Sequence, residues 1–153
     1  MTTTTIKTEN IIATVNKKMK RYFRYLRRSL RCRFEKQYDY LNTLQVIREF
    51  KKTNKVYDNH RDYSNDPYTT VDGLIFTKGS NKVCGLYLDT RYFSLNPIYY
   101  HNGENHISTC STGGCMVVTN DIRRMVEKYN NEVGFERYKI TKVLMKDGTV
   151  YTF

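Results

Sequence analysis

Glycine and proline are missing from the first 66 residues: the first proline is Pro67 and the first glycine is Gly73. A tract of that length without a breaker excludes a turn-rich β fold there and favours helix. Tryptophan is absent, and alanine occurs once, at Ala13. No apolar run approaches the roughly 18 residues of a membrane-spanning helix. No apolar segment of signal-peptide type follows the basic N-terminus, so no secretory signal is expected. Four cysteines in 153 residues are too sparse for a disulfide scaffold and suit a reducing compartment. The expected location is the cytoplasm. Acidic residues are the last scarcity: none occurs between Asn10 and Phe34.

What is present is positive charge and tyrosine. The formal net charge is +11. Residues 1–62 carry sixteen basic and six acidic side chains, and residues 63–153 carry ten and nine. Nearly all the excess therefore sits in the first part, which marks a partner rich in negative charge. Fourteen tyrosines and seven phenylalanines supply bulky packing groups and keep the chain out of the disordered class. Asn, Lys, Tyr, Ile and Phe total 57 residues against 11 for Ala, Gly and Pro. That bias points to an AT-rich genome, as in many phages and viruses.

Four regions are expected: a flexible leader at 1–8, a basic helical region at 9–51, a linker or surface loop at 52–70, and a small α+β domain at 71–153. Ile12, Val15, Met19, Tyr22, Phe23, Leu26, Leu30 and Phe34 recur at helical steps on one face. Val46, Ile47 and Phe50 drift off that stripe. The helix over 10–35 is followed by a second at about 37–51, separate or continuous. In the C-terminal part, 71–77 and 82–89 read as strands around a 78–81 turn. Shorter strands follow at 91–95 and 98–101, then a loop over 101–114 and a strand at 115–119. Asn120 opens a helix to about Asn130, and strands over 135–146 and 149–153 flank Asp147-Gly148. Such a hairpin signal would set Met145 opposite Val150 and Leu144 opposite Tyr151. The expected fold is α+β, a long basic amphipathic helix (or helical hairpin) with a mostly antiparallel sheet, one short helix and a C-terminal β-hairpin.

The spacing of the basic residues is more informative than their number. Lys17, Lys20, Arg21, Arg24, Arg27, Arg28 and Arg31 fall within about 120° on an ideal wheel and span about 21 Å. Five of the seven are arginine, whose planar fork binds phosphate oxygens in pairs. Like charges at i,i+3 and i,i+4 destabilise a helix by some tenths of a kcal/mol per pair, and an anionic partner removes that repulsion. A solvated charged face over a packed helix is the plain alternative.

A second constellation is H-x4-H-x3-C-x4-C: His101, His106, Cys110 and Cys115. Imidazole and thiolate are zinc ligands, although the spacing lacks the tight C-x2-4-C knuckle of zinc ribbons. No cofactor is expected otherwise. His101, Glu104 and His106 also form an acid–base set of the kind a metal-free ribonuclease uses. Ser111-Thr112-Gly113-Gly114 lacks the lysine of a phosphate-binding P-loop. Tyr87, Tyr92, Tyr99, Tyr100, Tyr138 and Tyr151 are candidates for a base-stacking platform, or for ordinary half-buried packing.

These readings converge on a small nucleic-acid-binding protein, DNA or RNA, with largely sequence-independent phosphate contacts, as in a phage or viral regulatory protein. The alternatives are a small ribonuclease built on the His/Glu loop, or an interaction protein for an acidic host protein or an anionic membrane surface. A binding protein is expected ahead of an enzyme.

Overall fold

The computed structural model describes residues 3–58, 65–89, 91–108, 115–117 and 119–153, with side chains described from Thr14 onward except Arg31 and 115–117. Helix α1 runs unbroken over Thr3–Lys52. It begins inside the tract read as a leader and continues through the point where a second helix was an option. The absence of Gly and Pro removes any local reason to stop. Nine strands follow: β1 Lys55–Asp58, β2 Tyr68–Thr70, β3 Gly73–Thr77, β4 Val83–Tyr87, β5 Tyr92–His101, β6 Glu104–Ile107, β7 Cys115–Val117, β8 Ile140–Met145 and β9 Val150–Thr152. Helix α2, Ile122–Glu132, lies between β7 and β8, and a 3-10 turn at Glu136–Tyr138 precedes β8. The chain is α+β, and its sheet is antiparallel except where β1 pairs β6.

The sheet order is β2-β1-β6-β5-β4-β3-β8-β9, with β7 beside β5. The chain divides into two compact units, Met1–Tyr38 and Asp39–Phe153. In the second unit each sheet face carries its own core. Val46 and Phe50 of α1 pack with Val56, Val71, Leu74, Val83, Ile98 and Ile107. Ile122, Met125 and Val126 of α2 pack with Ile75, Leu86, Phe93, Ile140 and Val143. Leu74 and Ile75, neighbours on β3, fall into different cores because successive strand side chains point to opposite faces. The residues that drift off the N-terminal stripe are thus the ones that enter a core.

Several expectations change. The tract read as a linker supplies β1 and β2, paired from Lys55↔Thr70 to Tyr57↔Tyr68. The two short strands around Asn96-Pro97 are one strand, β5. Pro97 sits opposite Cys84, beside the irregularity between Cys84 and Leu86, where a missing N–H is tolerated. Its carbonyl accepts from Ser108 N–H at 2.8 Å. The start of the 101–114 loop is a hairpin, β5–β6, turning on Asn102 (φ 49°) and Gly103 (φ 92°). Asn-Gly is the pair that adopts two successive positive φ values at low cost. The N-cap of α2 is Asp121, not Asn120, and its Oδ1 accepts from Arg124 N–H at 3.1 Å. The final hairpin forms one residue out of the expected register, with Leu144↔Val150 and Val143↔Tyr151. Its loop is three residues long, because Met145 N–H bonds Thr149 O and Gly148 takes φ 90°.

Candidate anion-binding helix and sheet-face cluster

The first unit is helical from Thr3, and its described side chains, from Thr14 on, are exposed apart from Leu26. Lys17, Lys20, Arg21, Arg24, Arg27 and Arg28 are all exposed. Arg31 lies in α1, and its side chain is outside the described residues. Among the described residues no carboxylate pairs with these cations; the ion pairs use Lys52, Lys78, Lys82, His106, Lys128 and Lys139. The six described side chains of the expected basic face are exposed and, among the described residues, have no carboxylate partner.

The apolar stripe is exposed too. Val15, Met19, Tyr22, Phe23, Leu30 and Phe34 are each between 47% and 61% exposed, and of the described stripe residues only Leu26 is half-buried; the side chain of Ile12 lies outside the described residues. A charged face over a packed helix would have covered these side chains. An exposed apolar stripe of this kind is a candidate contact surface. Where stripe and basic face meet, an open groove is floored by Phe23, Leu26 and Leu30 and rimmed by Lys20, Arg24 and Arg27.

The second constellation lies on the sheet. Tyr57, Tyr68, Tyr99, His101, Glu104 and His106 share one face, because the register sets Tyr57 beside His106 and Tyr68, Tyr99 opposite His106, and His101 opposite Glu104. Tyr68 O–H donates to Glu104 Oε2 at 2.9 Å, and Glu104 Oε1 lies 3.5 Å from His106 Nε2. The hydrogen bond to Glu104 pushes the Tyr68 phenol above its ordinary pKa. The His106 ring is flanked by Tyr57 at 5.0 Å and Tyr99 at 5.5 Å, with His101 edge-on at 5.7 Å. From the opposite face, Asn42 exchanges two hydrogen bonds with the Tyr100 backbone and Asn105 Nδ2 donates to Val46 O. The β5–β6 hairpin is thereby clamped to the C-terminal part of α1.

The structure therefore gathers His101, Glu104 and His106 on one hairpin. This is the residue set that general acid–base catalysis draws on. The Nε2 of His106 is buried, however, and turned toward Glu104. Of the zinc set, Cys110 is outside the described residues, as is the side chain of Cys115 at the start of β7; so is the 111–114 stretch. Among the described residues no group of three His, Cys, Asp or Glu side chains is arranged to hold a metal ion. The six tyrosines do not form one platform. Tyr87 is buried and stacks on Tyr92 at 4.8 Å, Tyr100 lies against the α1-side core, and Tyr138 and Tyr151 carry Arg137 and Arg123 over their rings. Tyr57 and Tyr68 were missed because the sequence hid β1 and β2 in a polar stretch. Cys84 is a buried free thiol, and burial pushes its pKa up to about 12.

No helix among the described residues is long and apolar enough to cross a membrane. No family model, no curated protein and no solved structure matches the chain.

Proposed function

We propose that the N-terminal helix binds an anionic membrane surface, lying in the headgroup plane with its stripe against the acyl boundary. The observation that supports this reading is the exposure of both helix faces at once. A bilayer interface takes both: aromatic and aliphatic side chains insert while flanking Lys and Arg reach lipid phosphates. Each cation near such a surface contributes about 1 kcal/mol, and each Å² of apolar area removed from water about 25 cal/mol. A nucleic acid would engage the basic face and leave the stripe in water.

Nucleic-acid binding is the second reading. It is favoured by the predominance of arginine in an exposed face without carboxylate partners. The AT-rich composition agrees with a phage or viral regulatory role for either partner.

One experiment separates the two. Vesicle flotation and oligonucleotide anisotropy are run on wild type, on Arg24→Glu/Arg27→Glu/Arg28→Glu, and on Phe23→Asn/Leu30→Asn, each at low and high salt. The membrane reading expects wild type to float with anionic but not zwitterionic vesicles, and both variants to lose flotation. Nucleic-acid binding expects the charge-reversed variant to fail and the apolar-face variant to bind oligonucleotide like wild type, with steep salt dependence. Wild type that stays at the bottom of the gradient with anionic vesicles rejects the membrane reading.

A further inference from the structure

The groove at the border of the two faces is more specific than a general amphipathic surface. Its floor is Phe23, Leu26 and Leu30, and its rim is Lys20, Arg24 and Arg27. Lys20 and Arg24 are four residues apart, and Arg24 and Arg27 three. Side chains at those spacings start about 5–6 Å apart on one helix surface. Three cations thus line one side of an open apolar trough of about 750 Å³ on the helix surface. None of the three is paired with a carboxylate among the described residues.

We infer that this groove binds a single anionic phospholipid with a phosphomonoester headgroup. One acyl chain lies along Phe23, Leu26 and Leu30, and the phosphate sits among Lys20, Arg24 and Arg27. The charge count and the donor geometry select the headgroup. A phosphomonoester offers three terminal oxygens and close to two negative charges near neutral pH, in the manner of a phosphorylated side chain. A phosphodiester headgroup offers two free oxygens and one charge. Two guanidinium forks and one ammonium match the former, since arginine engages phosphate oxygens in pairs and lysine acts as a point charge. The apolar floor adds a term that a water-soluble phosphate lacks.

The inference rests on the membrane reading, and its test separates the two failures. The full chain is titrated with phosphatidylcholine vesicles containing either phosphatidic acid or phosphatidylglycerol, matched in measured zeta potential. Wild type is expected to bind the phosphatidic acid vesicles about tenfold more tightly, the factor that about 1.4 kcal/mol represents. The Arg24→Lys/Arg27→Lys variant keeps the charge and removes the forks. It is expected to lose the preference, binding phosphatidic acid and phosphatidylglycerol vesicles equally at matched potential, whatever its overall affinity. Both substitutions lie on the exposed helix surface, and the far-ultraviolet dichroism of the variant should match wild type. Equal wild-type binding at matched potential overturns the inference and leaves the membrane reading standing. So does a preference that survives in the lysine variant. Failure to bind either vesicle overturns both. Glycerol phosphate that competes as effectively as phosphatidic acid at equal accessible concentration would show that the apolar floor contributes nothing and would remove the lipid from the groove. An oligonucleotide that binds the lysine variant more weakly than wild type, while neither protein prefers either vesicle, would overturn the inference and assign the groove to nucleic acid.

Discussion

Glu136 shows how one exposed side chain ties two elements together. Its carboxylate accepts from Lys139 Nζ at 2.8 Å and from Lys78 Nζ at 2.6 Å. Those two ammonium groups, Lys139 first, hold its pKa down to about 2 from the usual 4.5. A depressed carboxylate contributes stability above its unfolded pKa and loses it as pH falls through the folded one. The window here runs from 4.5 down to about 2. Glu136→Gln is therefore expected to melt below wild type at neutral pH, with the gap closing as melts are repeated through that window. A gap that stays constant down to the acid limit would remove Glu136 as its source. The sheet-face histidines give a second prediction at this scale. The His106 Nε2 is covered and faces Glu104, and the ring is flanked by Tyr57 and Tyr99. This geometry encloses the imidazole between two rings, and its Nε2 makes no hydrogen bond among the described residues. RNA incubated with wild type and with His101→Ala/His106→Ala is accordingly expected to decay equally. Decay in wild type alone would make these residues catalytic. His101, Glu104 and His106 were legible as a group in the sequence; that Tyr57 and Tyr68 complete it was not, since their strands pair with partners distant in sequence.

Elements were legible where their signal was local. The α1 period, the 78–81 turn and the α2 stripe of Ile122, Met125 and Val126 depend on near neighbours, and each appears in the structure. The elements misjudged depend on distant partners or on fine turn geometry. β1 and β2 are short, polar and turn-flanked, and only pairing with each other and with β6 makes them strands. The β5–β6 hairpin is a different failure. Asn102-Gly103 between Ile98–His101 and Glu104–Ile107 is as strong a turn signal as Asp147-Gly148, but a loop reading based on glycine and polar content masked it. The register of the last hairpin turned on one residue of loop length, which composition does not encode. Where α1 stops being surface and becomes core was visible only as a drift in its stripe. Phe50 is the test of that change. It is buried between α1 and the sheet, and its carbonyl accepts from Lys146 Nζ at 3.1 Å. Phe50→Ala should cost about 3–5 kcal/mol, as large-to-small core substitutions do, whereas Phe23→Ala, at an exposed position, should cost little. Denaturant midpoints of the two variants compare them directly. Similar losses would mean that the stripe is packed in solution and that the membrane reading lacks its premise.

Across the whole molecule, charge and packing divide at the same place. Residues 1–38 hold eleven basic and two acidic side chains, and residues 39–153 hold fifteen and thirteen. The compact units divide between Tyr38 and Asp39. Among the described residues every core residue lies in the second unit, the earliest being Val46. From Thr14 onward the described side chains of the first unit contribute surface, in both charge and apolar stripe. Its helix stands against like-charge repulsion worth some tenths of a kcal/mol per i,i+3 or i,i+4 pair, with no buried stripe to offset it. Such a helix gains most from a partner that neutralises one face and covers the other. Two consequences follow for a chain truncated to residues 39–153. Its thermal midpoint should stay within a few degrees of the full chain, because both cores and their hydrogen-bonded clamps remain. Its affinity for anionic vesicles should disappear, because the cations and the stripe leave together. In the full chain, anionic vesicles should raise the helical dichroism per residue, and the truncated chain should show no such rise. A truncated chain that unfolds would mean that residues 1–38 hold the sheet together. A truncated chain that still binds anionic vesicles would place the binding surface on the α+β unit, and the charge segregation would then have no bearing on function.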